Sequence, residues 1–142
     1  MHTIHQILDH KGGDILWVAP DSTVFDAIRK MAQKGIGALL VMRDGKPVGM
    51  LSERDYARKV ILEGRSSRET LVKDIMSDSL ITIDGRATAE AGLALMTRHH
   101  IRHLPVVDNG KLIGLVSIGD LVNAVIEDQQ QLIEQLERYV TG

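Results

Sequence analysis

The chain repeats itself. Asp44-Gly45-Lys46-Pro47-Val48-Gly49-Met50-Leu51-Ser52 and Asn109-Gly110-Lys111-Leu112-Ile113-Gly114-Leu115-Val116-Ser117 lie 65 positions apart. Carried along without a gap, the same offset pairs Thr23 with Thr88, Met31 with Met96, Ile36 with Ile101, Leu39 with Leu104, Val41 with Val106 and Asp55 with Asp120. Self-similarity of this length is the signature of a duplicated structural unit. It predicts two like units, divided here at residues 1–64 and 65–142. A unit of about 60 residues buries too little surface to be more than marginal alone, so the two copies are expected to pack as one body.

Each copy reads as β-α-β-β-α. In the first, Leu16-Trp17-Val18 is a short apolar run stopped by Pro20, which predicts a strand. Thr23-Val24-Phe25-Asp26 has the form of a capping box with Asp in place of Glu. Val24, Ala27, Ile28 and Met31 then follow helical spacing up to Gly35. Ala38–Met42 predicts a buried strand, Asp44-Gly45 a hairpin turn, Pro47–Leu51 the returning strand, and Glu53–Leu62 a second helix. The second copy predicts a strand at Leu80–Ile83, a helix from Thr88, strands at Leu104–Val107 and Leu112–Val116 around Asn109-Gly110, and a helix from Ile118. Lead-in segments precede both copies, Ile4–Leu8 and Leu71–Met76. The closing helix outruns its counterpart and continues an apolar stripe through Leu132, Ile133 and Leu136 that can pack on the body or on a partner. The fold class predicted is mixed α/β (α+β).

Ser-x-x-Asp stands at the last strand–helix junction of both copies, as Ser52-Glu53-Arg54-Asp55 and Ser117-Ile118-Gly119-Asp120. The pattern has two readings. One is a helix cap. The other is nucleotide binding: a helix N-terminus offers unpaired N–H groups and a positive dipole end to phosphate, and a carboxylate one turn on can accept from two ribose hydroxyls. A second feature is basic: Arg98-His99-His100-Ile101-Arg102-His103 holds two Arg and three His with no acid. Arg suits phosphate through its planar fork, while cations near a helix C-terminus also sit well on solvation and dipole grounds alone. His99 and His103, four apart, lack a third metal ligand.

Composition excludes much else. The absence of Cys rules out disulfides, thiolate metal sites and Cys nucleophiles. A net charge of −2 and a total of one Trp, two Tyr and one Phe argue against a nucleic-acid surface. No apolar stretch approaches the ~18 residues of a membrane span, and the opening Met1-His2-Thr3-Ile4-His5-Gln6 lacks the pattern of a signal peptide, so the expected location is the cytoplasm. Leu115 replaces the leading glycine of a nucleophile elbow at Leu115-Val116-Ser117-Ile118-Gly119, and no P-loop or Gly-x-Gly-x-x-Gly is present. The chain is therefore expected not to be an enzyme and to need no catalytic cofactor.

The tandem units resemble a pair of CBS (cystathionine-β-synthase) domains, together a Bateman module, of the stand-alone bacterial type. The likeness rests on Gly35-Ile36-Gly37-Ala38-Leu39-Leu40-Val41 and Gly49-Met50-Leu51-Ser52-Glu53-Arg54-Asp55 in one copy. In the other it rests on His103-Leu104-Pro105-Val106-Val107-Asp108, Gly110-Lys111-Leu112-Ile113-Gly114 and Val116-Ser117-Ile118-Gly119-Asp120. It implies two clefts between the copies that take adenosine-containing ligands: AMP, ADP, ATP, NAD or S-adenosylmethionine. By resemblance, Asp55 and Asp120 hold ribose, Ser52 and Ser117 contact phosphate, and adenine lies near Val18 and Ile83. Basic residues before the opposite copy's central strand then reach the phosphates. Arg102 and His103 fill that place for the Asp55 cleft, with Arg54 and Arg58 as further candidates, whereas Gly37 and Ala38 stand there for the Asp120 cleft and carry no charge. A non-catalytic sensor acting on another protein in trans, assembled as a homodimer, is the expected function. The alternative is a structural or oligomerisation module without a physiological ligand.

Overall fold

The computed structural model describes residues 1–12 and 15–141. Along the chain run α1 (Ile4–Lys11), β1 (Trp17–Val18), α2 (Val24–Lys34), β2 (Ala38–Arg43), β3 (Lys46–Ser52), α3 (Glu53–Tyr56), α4 (Ala89–His99), β4 (His103–Asp108), β5 (Lys111–Ser117) and α5 (Ile118–Thr141). A single π-type turn, Ala57–Ile61, continues α3, and a short 3₁₀ turn covers Val72–Asp74. This is the α+β class expected from the repeats.

The elements gather into two compact units, Ile15–Leu80 and Met1–Asp14 with Ile81–Gly142. The repeats predicted a division at 64/65, each copy keeping the lead-in that precedes it. Instead each lead-in belongs with the other copy. In the Met1 unit, Ile4 N donates to Ala87 O (2.9 Å), His5 N to Gly85 O (2.8 Å) and Ala89 N to His2 O (3.0 Å). In the Ile15 unit, Val24 N donates to Thr70 O (2.9 Å), Val72 N to Ser22 O (2.9 Å), and Met50 and Ser77 exchange two bonds of 2.9 Å. Apolar burial follows the same division. Ile4 and Ile7 are buried with Met96, Leu104 and Leu121, while Val72 and Ile75 are buried with Met31, Leu39 and Leu51.

In the Ile15 unit, β1 pairs parallel with β2, and β2 antiparallel with β3. Asp44 and Gly45 both take positive φ, 52° and 77°, as a two-residue hairpin of matching twist requires. Thr23 caps α2, its hydroxyl accepting from Asp26 N at 3.2 Å. The expected capping box is only half formed, because the Asp26 carboxylate accepts from Arg29 (3.0 Å) instead. The predicted helix over Glu53–Leu62 starts as expected and then widens at Ala57, where Leu62 N reaches back to Ala57 O (3.1 Å).

The Met1 unit repeats the hairpin, with β4 antiparallel to β5 and Asn109 and Gly110 at φ 50° and 77°. The strand expected at Leu80–Ile83 contracts to one parallel bridge, Ile83 to Val106. In the other unit, Leu40 N donates to Leu16 O (3.4 Å). Leu40 corresponds to Pro105, which has no N–H, so that bond has no equivalent and the ladder cannot extend. Two bonds centred on Ile83 remain, from Ile83 N to Pro105 O (3.0 Å) and from Val107 N to Ile83 O (2.9 Å).

Candidate functional site

The two Ser-x-x-Asp motifs sit where a strand turns into a helix, and both are caps. At the first, Ser52 is extended (φ −120°, ψ 162°) and its hydroxyl oxygen accepts from Asp55 N (3.1 Å). Asp55 Oδ2 in turn accepts from Ser52 N (3.0 Å) and from the Ser52 hydroxyl (3.1 Å). Among the described residues its other oxygen, Oδ1, has only the ammonium of Lys59 at 3.6 Å, and Lys59 spends a hydrogen bond on Ile75 O (2.9 Å). Gly37 O accepts from Glu53 N (3.0 Å) and Ala38 is in register with Ser52, so these two residues flank the motif of their own unit. Arg54 and Arg58 lie exposed on α3 and the turn after it. Val18 is buried in register with Val41, beside the exposed Trp17.

At the second motif, Asp120 N donates to the Ser117 hydroxyl (3.2 Å) and Asp120 Oδ2 accepts from Ser117 N (2.9 Å). The same oxygen accepts from Lys11 Nζ at 2.8 Å, and Lys11 also donates to Leu115 O (3.1 Å). Burial works to raise the Asp120 carboxyl, but the hydrogen bonds from Lys11 and Ser117 outweigh it and hold it below the usual carboxylate range. Arg102 O accepts from Ile118 N (2.9 Å), and His103 is in register with Ser117. Arg102 is exposed and the His103 ring half-buried. Burial first, and the Lys11 charge second, push that imidazole below its ordinary pKa. Ile83 is buried beside β4, bridged to Val106.

Within the Met1 unit the structure thus brings together Arg102, His103, Ser117 and Asp120. Within the Ile15 unit it brings together Gly37, Ala38, Ser52 and Asp55. Arg98 and His99 end α4, whose cap His100 takes a left-handed conformation (φ 55°), so this part of the basic run sits at the negative pole of the helix dipole. Among the described residues no group of three or more His, Asp or Glu is placed to hold a metal.

Lys11 is the participant that sequence reading missed. It closes α1, whose apolar spacing marked it only as a lead-in, and nothing in the sequence ties it to a residue 109 positions away. It also lines a groove of ≈ 590 Å³ between α1 and α5, shared with His2, His10, Asn123, Glu127 and Asp128. At the far end of that groove His2 N donates to Asp128 Oδ2 (3.0 Å), and the His2 ring lies 2.7 Å from Asp128 Oδ1.

Two copies of one α+β unit, each with a capped Ser-x-x-Asp junction, define a tandem-repeat protein. The model of the CBS domain matches residues 7–62 and 72–127, and the chain belongs to that family. A mitochondrial CBS domain-containing protein of Arabidopsis thaliana, CBSX3, is 40% identical over 149 residues, covering 99% of this chain and 72% of the relative. A protein with CBS domains from Burkholderia ambifaria superposes with a TM-score of 0.86 at 50% identity, over 90% of this chain and 96% of that one. The CBS domain pair of protein MJ0100, solved with 5′-methylthioadenosine and S-adenosyl-L-methionine, shares the fold at TM-score 0.78 and 19% identity, over 89% and 98% of the chains. CBS domain pairs are regulatory modules rather than catalysts. No helix among the described residues is long and apolar enough to cross a membrane.

Proposed function

We propose that this chain is a cytoplasmic sensor that binds an adenosine-containing ligand (AMP, ADP, ATP, NAD or S-adenosylmethionine) at its Ser-x-x-Asp junctions and passes the signal to a partner protein in trans. One observation carries the reading: at Asp55 the cap uses only Oδ2, leaving Oδ1 without a hydrogen bond among the described residues. A carboxylate so placed can accept from a ribose diol without giving up the cap. Exposed Arg54 and Arg58 lie next to it for phosphate. The adenosine ligands of the MJ0100 pair support the same ligand class.

Nucleotide-stripped protein titrated with AMP, ATP, NAD and S-adenosylmethionine tests this, read by calorimetry and by the fluorescence of Trp17, the one Trp in the chain. Asp55→Ala should weaken binding by about 1.5–3 kcal/mol, as for hydrogen bonds to charged groups. Asp55→Asn, which keeps a cap acceptor, separates ribose binding from helix capping. Absence of binding below about millimolar, a free energy of about −4 kcal/mol, overturns the reading.

A second reading, an oligomerisation module, has its own observation. Beyond residue 128 every described side chain of α5 is exposed, yet Ile118, Val122, Ile126, Ile133, Leu136 and Val140 fall on one face of the helix. Lone helical segments of this length are marginal in water. Gln129, the polar residue midway along that face, carries an amide that can pair with its own symmetry mate. These features support a homodimer joined along α5. Purified protein that is dimeric and carries no ultraviolet-absorbing nucleotide would favour this role over sensing.

A further inference from the structure

The two Ser-x-x-Asp junctions are not chemically equal. Asp120 Oδ2 already has a cation, the ammonium of Lys11 at 2.8 Å, whereas the cation nearest Asp55 stands 3.6 Å off and donates elsewhere. An N⁺–H···O⁻ bond is shorter than a neutral one and about twice as strong. Lys11 and the cap both hold Oδ2, so a ribose hydroxyl would meet Asp120 Oδ1 on a carboxylate whose charge the ammonium already offsets, a weaker acceptor than Asp55 Oδ1. A ligand that carries phosphate removes that penalty, because the ammonium can move from the carboxylate to the phosphate oxygens. Lys11 is free to make the move: its side chain is 41% exposed and borders the ≈ 590 Å³ groove between α1 and α5.

On the nucleotide reading above, we propose that Lys11 is a specificity residue of the Asp120 junction, holding its carboxylate against unphosphorylated nucleosides and yielding it to nucleotides whose phosphate takes the ammonium in exchange. The half-buried His103 ring beside that ammonium senses the same charge. Lys11 and Arg102 press its pKa down and Asp120 lifts it, so removing the Lys11 charge should raise its titration.

The test measures AMP and adenosine binding by calorimetry in an Asp55→Ala background, which leaves the Asp120 junction to be read alone. AMP should bind at least about tenfold more tightly than adenosine, as the loss of a charged hydrogen bond implies. Adding Lys11→Met should weaken AMP, strengthen adenosine and bring the ratio toward unity, while Lys11→Arg should retain the preference. Titration of the His103 ring by NMR shows that the Lys11→Met protein is folded and that its local charge has gone. An AMP-to-adenosine ratio unchanged by Lys11→Met overturns the role of Lys11. Loss of all binding in the Asp55→Ala background overturns it too, with the nucleotide reading left standing at Asp55. Failure of wild-type protein to bind either compound overturns both.

Discussion

Leu8 packs directly on the backbone of Gly114, so closely that a Cβ at that glycine would meet Leu8 Cδ2 at 2.7 Å. The glycine 65 positions earlier, Gly49, is covered in the same way by the other lead-in, with Met76 Sδ at 2.8 Å and Ser77 O at 2.7 Å from the same notional atom. These two glycines let each lead-in lie flat on its hairpin, which secures the division of the chain into its two units.

The two contacts differ in what can give way, and so should two substitutions. Gly114→Ala meets the end of a leucine side chain and should cost about 1–3 kcal/mol, the usual range for overpacking. Gly49→Ala meets a carbonyl fixed by the Met50–Ser77 pair and should cost more. Urea unfolding of both variants would show it; equal costs would count against this account.

The helix ends at Gly35 and His100 make a reciprocal pair. Both caps are left-handed, at φ 66° and φ 55°, but only the first is glycine. His100→Gly should stabilise by about 0.5–1 kcal/mol by removing Cβ strain, and Gly35→Ala should destabilise by a similar amount. Thermal melts of the two variants should move in opposite directions.

Acid should attack the unit that contains α1. Asp108 is held below the carboxylate range first by the His5 ring and then by Gly85 N (2.8 Å), and Asp120 is lowered by Lys11 and Ser117 against the pull of burial. Folded values below the unfolded one, about 3.9, give stability that is present above that pH and is lost as pH falls through the folded values. His103, also lowered, should remove further stability once pH drops below its unfolded value of about 6.5. Urea midpoints between about pH 7 and pH 3 should fall, and Asp108→Asn should flatten the lower part of that curve. A slope unaltered by Asp108→Asn would refute the assignment.

If two copies join along α5 as proposed, charge on its outer face should dissolve that dimer and leave the fold intact. Ile133 and Leu136 are 53% and 55% exposed and touch no core. Ile133→Glu with Leu136→Glu should therefore give a monomer in sedimentation with an unchanged melting temperature for the monomer. A dimer that survives both charges would place the interface elsewhere.

Where sequence reading and structure part, local pattern met a distant partner. The strand expected at Leu80–Ile83 has suitable residues, but its partner β4 presents Pro105 where β2 presents Leu40. Thr23-x-x-Asp26 has capping-box spacing, but Arg29 competes for the carboxylate. Ser52–Asp55 and Ser117–Asp120 formed their caps as the spacing allowed, because both partners lie within one turn. Lys11 was out of reach: its role depends on where α1 docks.

The duplication is written in the sequence itself, and the α-β-β-α order of each copy, both hairpin turns and both capped junctions are set by residues within a few positions of one another, so the sequence alone determines them. Which lead-in belongs with which copy, how far the Ile83 strand extends and which cation meets Asp120 rest on contacts between residues far apart in the chain. Backbone groups with no local partner and apolar faces with no local cover are satisfied only in the assembled core. The tertiary structure therefore decided those three features, and the last of them makes two copies of one motif unequal.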